Sequence, residues 1–281
     1  MLNRPARLGA AMTVLVLGAT GCAAASGPAN QPAARPASPA ASADSPVAAT
    51  ASPTTRAAGA APARPLRGKV IAIDPGHNGA NWSHPQVINR LVNVITETKP
   101  CDTTGTQTDA GYAEHAFTFN VAKRLARLLR REGATVVLTR HNDQGVGPCV
   151  THRAAIGNRA HADAAISIHA DGGPPSGVGF DVIEPGLVPG HTGPIVKPSA
   201  LLGRDIRAAY HRITHEPFAT YVGHDGLDVR TDLGGLNLST VPKVFIECGN
   251  MRNASDAAKL SRAAFRQRIA VALAAGFTRF L

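Results

Sequence analysis

Aromatic side chains are scarce: the 281 residues hold one Trp, three Tyr and eight Phe. That is too few for a stacking platform along single-stranded nucleic acid, and no known nucleic-acid module is recognisable, so nucleic acid is not an expected partner. No apolar run is long enough to span a bilayer as a mature helix. Internal repeats are missing. Cysteine is rare too, with four in the chain.

What is present divides at about residue 67. Arg4 and Arg7 precede the apolar run from Leu8 to Ala19, the pattern of a signal peptide over residues 1–22. Two processing outcomes follow. Ala23-Ala24-Ala25 offers a small-residue cleavage site, whereas Gly21-Cys22 resembles a lipobox in which Cys22 carries a lipid anchor. Ala19 departs from the usual Leu or Val of that motif. Residues 23–67 are dominated by Ala, Pro, Ser and Thr, without hydrophobic periodicity, and read as a disordered linker. Such a coil spans roughly 40 Å on average, or about 140 Å as polyproline II.

Residues 68–281 are enough for one substantial core. The net charge of +10 is shared evenly between the segments before and after residue 67. A moderate positive excess favours encounter with polyanions such as wall polymers, or simply keeps the chain soluble. Short apolar runs at 69–74, 135–139, 164–169, 178–184 and 244–247 predict strands. Helical spacing over 113–131, at Leu202, Ile206, Ala209 and Ile213, and over 260–277 predicts helices. Strands alternating with helices predict an α/β fold: an open, mainly parallel twisted sheet with helices on both faces. The long polar segment 78–111 interrupts this pattern, and a partly ordered hairpin is expected over 87–97.

Open α/β sheets gather ligands at the carboxyl ends of their strands. His77 follows the first strand, His169 ends the third and Glu247 the last, while Glu114 lies in the first turn of the first helix. Two imidazoles and a carboxylate form a ligand set for catalytic zinc, and a second carboxylate can act as general base and acid. The spacing by itself is weak, since a lone histidine is usually structural and the chain has eleven. The glycine of Asp74-Pro75-Gly76-His77 is expected to let the backbone turn and present the ring. Arg140 and Arg153 flank a loop and are read first as salt-bridge formers, with substrate carboxylates as the alternative. In an oxidising compartment Cys101 and Cys149, both in loops, are expected to pair, leaving Cys248 as a small buried thiol.

Asp74-Pro75-Gly76-His77-Asn78-Gly79, Glu114, Ser167-Ile168-His169-Ala170-Asp171 and Glu247-Cys248-Gly249-Asn250 occur in that order. Together they resemble the zinc-dependent N-acetylmuramoyl-L-alanine amidases of the bacterial cell-separation type, over essentially all of residues 68–281. The resemblance implies Zn2+ held by His77, Glu114 and His169, with Glu247 as the catalytic carboxylate. It implies peptidoglycan or muropeptide fragments as substrate, and an exported enzyme of the periplasm or cell wall; a monomer is expected. Members restrained by an inhibitory helix carry an insert near the strand 178–184. Here the stretch 185–198 is rich in Gly and Pro and reads as too short and broken for such a plug. The competing functions are a non-catalytic wall-binding lipoprotein and a zinc carboxypeptidase or deacetylase acting on the wall.

Overall fold

The structure is a computed structural model that describes residues 64–281. The signal segment, Cys22 and the linker up to residue 63 lie outside the described residues. Residues 64–67 precede the expected domain start at 68. There Leu66 is fully buried and its N–H donates to the Glu132 carbonyl at 3.0 Å, so the packed unit includes it.

Six strands make the main sheet: β1 (Val70–Pro75), β4 (Thr135–Leu138), β5 (Ala164–Asp171), β6 (Asp181–Pro185), β7 (Leu227–Arg230) and β8 (Lys243–Asn250). Their order is β4-β1-β5-β8-β6-β7. β4, β1, β5 and β8 run parallel, while β6 pairs antiparallel with β8 and carries β7 parallel to itself. The open, mainly parallel α/β sheet expected from the sequence is therefore present, with a reversed edge.

One face of the sheet is apolar. Ile71, Ile73, Ile166, Ile168, Val182, Val244 and Ile246 pack there under the helices α2 (Glu114–Arg131), α4 (Gly193–Thr214) and α7 (Ala263–Phe280). In α2 the buried stripe runs through Phe117, Val121, Leu125 and Leu129, with Leu128 only half-buried. The opposite face is covered by α3 (Val150–Arg159) and the short α5 (Gly234–Asn237). Gly157 of α3 lies against Ala72, and Gly235 of α5 against Lys243 and Ser167. Helices thus lie on both faces, but only one face is oily.

Sequence periodicity missed α3, β7 and α5, which are short or weakly amphipathic. The terminal helix predicted over 260–277 is α7, and the short α6 (Ala254–Leu260) before it was not expected. The Gly- and Pro-rich stretch is not broken throughout, because from Gly193 it forms the first turns of α4. Pro194 near the helix start needs no N–H partner there.

The polar insert is ordered. It contains a 3-10 turn at Asn81–Ser83, α1 (Pro85–Ile88) and a hairpin of β2 (Leu91–Asn93) with β3 (Thr98–Pro100). The expected hairpin over 87–97 is real, although it begins later and its first residues are helical. Cys101 and Cys149 form a disulfide joining the end of the hairpin to the N-terminus of α3, and Cys248 is buried and free. The hairpin is also held across the sheet. Lys99 Nζ meets Asp232 Oδ2 at 2.7 Å, and Asn237 Nδ2 donates to the Val94 carbonyl at 2.9 Å.

Candidate metal centre

Strand register decides which side chains meet. His169 on β5 pairs with Glu247 on β8, which pairs with Asp181 on β6. Paired residues point to the same face, so the three form one row across the non-apolar face, near the carboxyl ends of β5 and β8. The next row holds Asp74, Ser167 and Phe245. The Phe245 ring lies stacked under the His169 imidazole, with centroids 4.1 Å apart.

His77 enters this row from the turn after β1. His77 itself takes the left-handed backbone conformation, at φ 57°. Such a conformation in a residue with a Cβ is strained and is maintained by its surroundings. Gly76 is needed for a different reason: a Cβ there would stand 2.1 Å from the His169 ring. Two buried arginines hold the turn. Arg140 donates to the carbonyls of Pro75 and Gly76, and Arg153 to those of Pro75 and His77. Arg153 also meets Asp74 at 2.8 Å and Asp102 at 3.2 Å. Both arginines are therefore scaffold, as the salt-bridge reading expects.

Glu114, at the first position of α2, reaches both histidines. Its Oε2 lies 3.1 Å from His77 Nε2 and its Oε1 2.8 Å from His169 Nδ1. One ligand atom from each of His77, Glu114 and His169 falls within 4.8 Å of the others. The three residues singled out in the sequence thus converge, although 92 positions separate the first from the last. His77 Nδ1 lies 3.0 Å from the Thr103 carbonyl. A carbonyl can only accept, so Nδ1 carries the proton and Nε2 is the nitrogen presented to Glu114.

The donor chemistry fits a divalent ion such as zinc: two imidazole nitrogens and a carboxylate, with one ring anchored behind by a carbonyl. Charge also fits. Burial opposes ionisation of Glu114, but the adjoining imidazoles of His77 and His169 hold its carboxyl well below the usual range. Burial pushes the Glu247 carboxyl well above its usual value, and the carboxylates of Glu114, Asp171 and Asp181 push it further. Its Oε2 is buried without a hydrogen-bond partner. Burial and the nearby Asp171 and Asp228 likewise push Asp181 up to about 7. Glu114, Asp171 and Glu247 line the same cleft, and a cation beside them would favour the ionised form of Glu247.

Sequence reading passed over several of these parts. Asp74 anchors Thr139, Ser167 and Arg153 at 2.6–2.8 Å. Asp102 and the Thr103 carbonyl orient His77, and their only sequence signal was adjacency to Cys101. Asp181, a lone acid opening an apolar strand, was the detectable one. His115 is half-buried with its Nδ1 2.9 Å from Asp143. Beside the cluster opens a cleft of about 420 Å³, with the hairpin residues Val94 and Lys99 on one wall and Asp232 and Leu233 on another.

Fold and site together define the class: an open α/β domain whose sheet edge carries a buried two-histidine, one-carboxylate cluster beside a second carboxylate. Residues 71–279 match the N-acetylmuramoyl-L-alanine amidase family, and the chain belongs to it. It is 40% identical over 232 residues to N-acetylmuramoyl-L-alanine amidase Rv3717 of Mycobacterium tuberculosis, covering 82% of this chain and 93% of that one. The crystal structure of the amidase Ami1 from Mycobacterium smegmatis is similar with a TM-score of 0.72 at 40% identity, over 76% of this chain and 97% of that one. AmiC2 of Nostoc punctiforme shares the fold at 21% identity, with a TM-score of 0.57 over 75% of this chain and 96% of that one.

Proposed function

We propose that this chain is an exported, zinc-dependent amidase that hydrolyses the amide between N-acetylmuramic acid and L-alanine in peptidoglycan. The observation that carries the reading is the convergence of His77, Glu114 and His169 within 4.8 Å, in a chain of this family. In this reading those three residues hold one Zn2+, which when bound polarises the attacked carbonyl and lowers the pKa of water to roughly 7. Glu247 is the catalytic carboxylate. Its unpartnered Oε2 takes a proton from the attacking water and returns it to the departing alanine nitrogen. Thr103 and Asp102 keep the His77 ring in one tautomer and orientation.

Residues 1–22 act as the export signal, with Cys22 the site of any lipid anchor. Residues 23–63 serve as a spacer, and 64–281, which include the packed Leu66, as the catalytic domain, acting as a monomer outside the cytoplasm. The position of Glu247 beside the cluster favours catalysis over mere wall binding, which has no use for a buried unpartnered carboxylate. Mass spectrometry of purified muropeptides after incubation is the test. Peptides freed of muramic acid, formed without chelator and not with it, are expected. Unchanged muropeptides, or a shortened peptide still bearing the sugar, contradict the reading.

A further inference from the structure

The chain's single tryptophan, Trp82, is 75% exposed and belongs to neither the core nor the metal cluster. It is carried by the 3-10 turn Asn81–Ser83, at the mouth of a second cavity of about 450 Å³. The turn is not a loose surface feature. Asn81 is fully buried, and its Nδ2 donates at 2.7 Å to the Thr103 carbonyl, the same oxygen that orients His77. The indole is thus fixed to the scaffold of the candidate centre.

The two cavities share a wall. Gly105 and Thr106 line both of them. That wall is one backbone segment thick at Gly105, where an added Cβ would stand 2.7 Å from both Glu114 and the His77 ring. A substrate whose reacting bond lies at the cluster therefore has room on either side of this segment. The two sides differ in chemistry. The cleft at the cluster carries the charged side chains of Lys99, Asp232, Asp102 and Arg153, which pair as Lys99 with Asp232 and Arg153 with Asp102. Around Trp82 the lining is mainly neutral hydrogen-bonding groups, including Asn78, Thr104, Thr106 and Gln107. Only Arg252 and His115 there can carry charge, and they meet Asp109 at 3.6 Å and Asp143 at 2.9 Å.

We propose that the cavity beside Trp82 is the glycan subsite, with the indole stacked on a pyranose ring of the sugar strand. A pyranose presents an apolar C–H face and a rim of hydroxyl and amide groups, which an exposed indole ringed by neutral donors and acceptors complements. The ionisable stem peptide then occupies the cleft at the cluster, whose lining carries the charged side chains. This assignment rests on the amidase reading, which supplies a substrate with a sugar on one side of the reacting bond and a peptide on the other.

Because Trp82 is the sole tryptophan, its emission reports the subsite directly, without turnover. Titration of the full chain with peptide-free glycan oligomers of alternating N-acetylglucosamine and N-acetylmuramic acid is expected to shift the emission to shorter wavelength and change its intensity. The stem peptide alone is expected to leave it unmoved. In steady-state cleavage of polymeric peptidoglycan, Trp82→Ala raises KM about tenfold, a loss of ~1.4 kcal/mol of binding, while kcat falls less than twofold. Trp82→Phe recovers most of the KM, and the thermal midpoint of both variants matches the wild type. Emission that stays constant at glycan concentrations saturating by calorimetry, or an unaltered KM in Trp82→Ala, overturns the subsite. Absence of muramic-acid-free peptides from wild-type digests overturns the amidase reading instead, and the glycan titration still decides the subsite.

Discussion

Along β5, Ile166 and Ile168 face one way while Ser167 and His169 face the other, and β1, β6 and β8 repeat the division. The first side is a close-packed layer beneath α2, α4 and α7. The second is a buried polar lattice in which Asp74 accepts from Thr139, Ser167 and Arg153, and Lys243 stands 3.6 Å away. Apolar contacts are non-directional and tolerate small shifts. Charged hydrogen bonds fix angles, and once buried they cannot be left half-made. The comparison teaches a division of labour: the apolar side holds the sheet together, and the polar side fixes where His77, His169 and Glu247 point.

Four substitutions break or sharpen that contrast. Glu247→Gln keeps the shape of the polar row but removes the proton-transferring group, so kcat is expected to drop about 10³-fold. Its thermal midpoint holds or rises, because a crowded, unpartnered carboxylate is gone. Asp74→Ala leaves Lys243 buried without its carboxylate partner and Arg153 with Asp102 alone, which costs roughly 3–5 kcal/mol in urea unfolding. Turnover per folded molecule falls as well, since Arg153 loses its hold on the turn. On the other side of the same sheet, Ile166→Ala costs about 2–5 kcal/mol through a cavity. Its activity and metal content per folded molecule stay near wild type, and a selective loss of activity there would dissolve the contrast.

The smallest effect concerns Glu184, the one acid of β6 on the apolar side, packed against Gly203 of α4. Burial pushes its carboxyl up from 4.5 to about 7. The folded state therefore holds a proton that the unfolded chain releases between those values, and stability declines as pH rises from 4.5 through 7. Glu184→Gln is expected to flatten that decline and to stabilise the protein on the order of 1 kcal/mol at pH 8. Midpoints measured against pH for both proteins check the sign.

These contrasts also mark what was legible in the sequence. Apolar strands and the stripe of α2 were readable because burial imposes periods of two and 3.6. The strands were read as continuous apolar runs, however. The polar lattice on their second side was hidden, since Asp74, Ser167 and Lys243 look like ordinary strand-end residues until register brings them together. The convergence of His77, Glu114 and His169 was visible through strand ends and family resemblance rather than spacing. That Gly76 must lack a side chain to leave room for the His169 ring was not readable, because the contact spans 93 positions. Short elements such as α5 carry too few residues for any period to register. The hairpin was legible only in outline, as its place depends on the disulfide and on the Lys99–Asp232 pair.

Metal content per chain, measured by mass spectrometry after refolding in zinc and exhaustive dialysis, tests the central claim most directly. One zinc per chain is expected in the wild type and in Glu247→Gln, with near-complete loss in His77→Ala and in His169→Ala. Full occupancy in either histidine variant, with the fold intact, would contradict it.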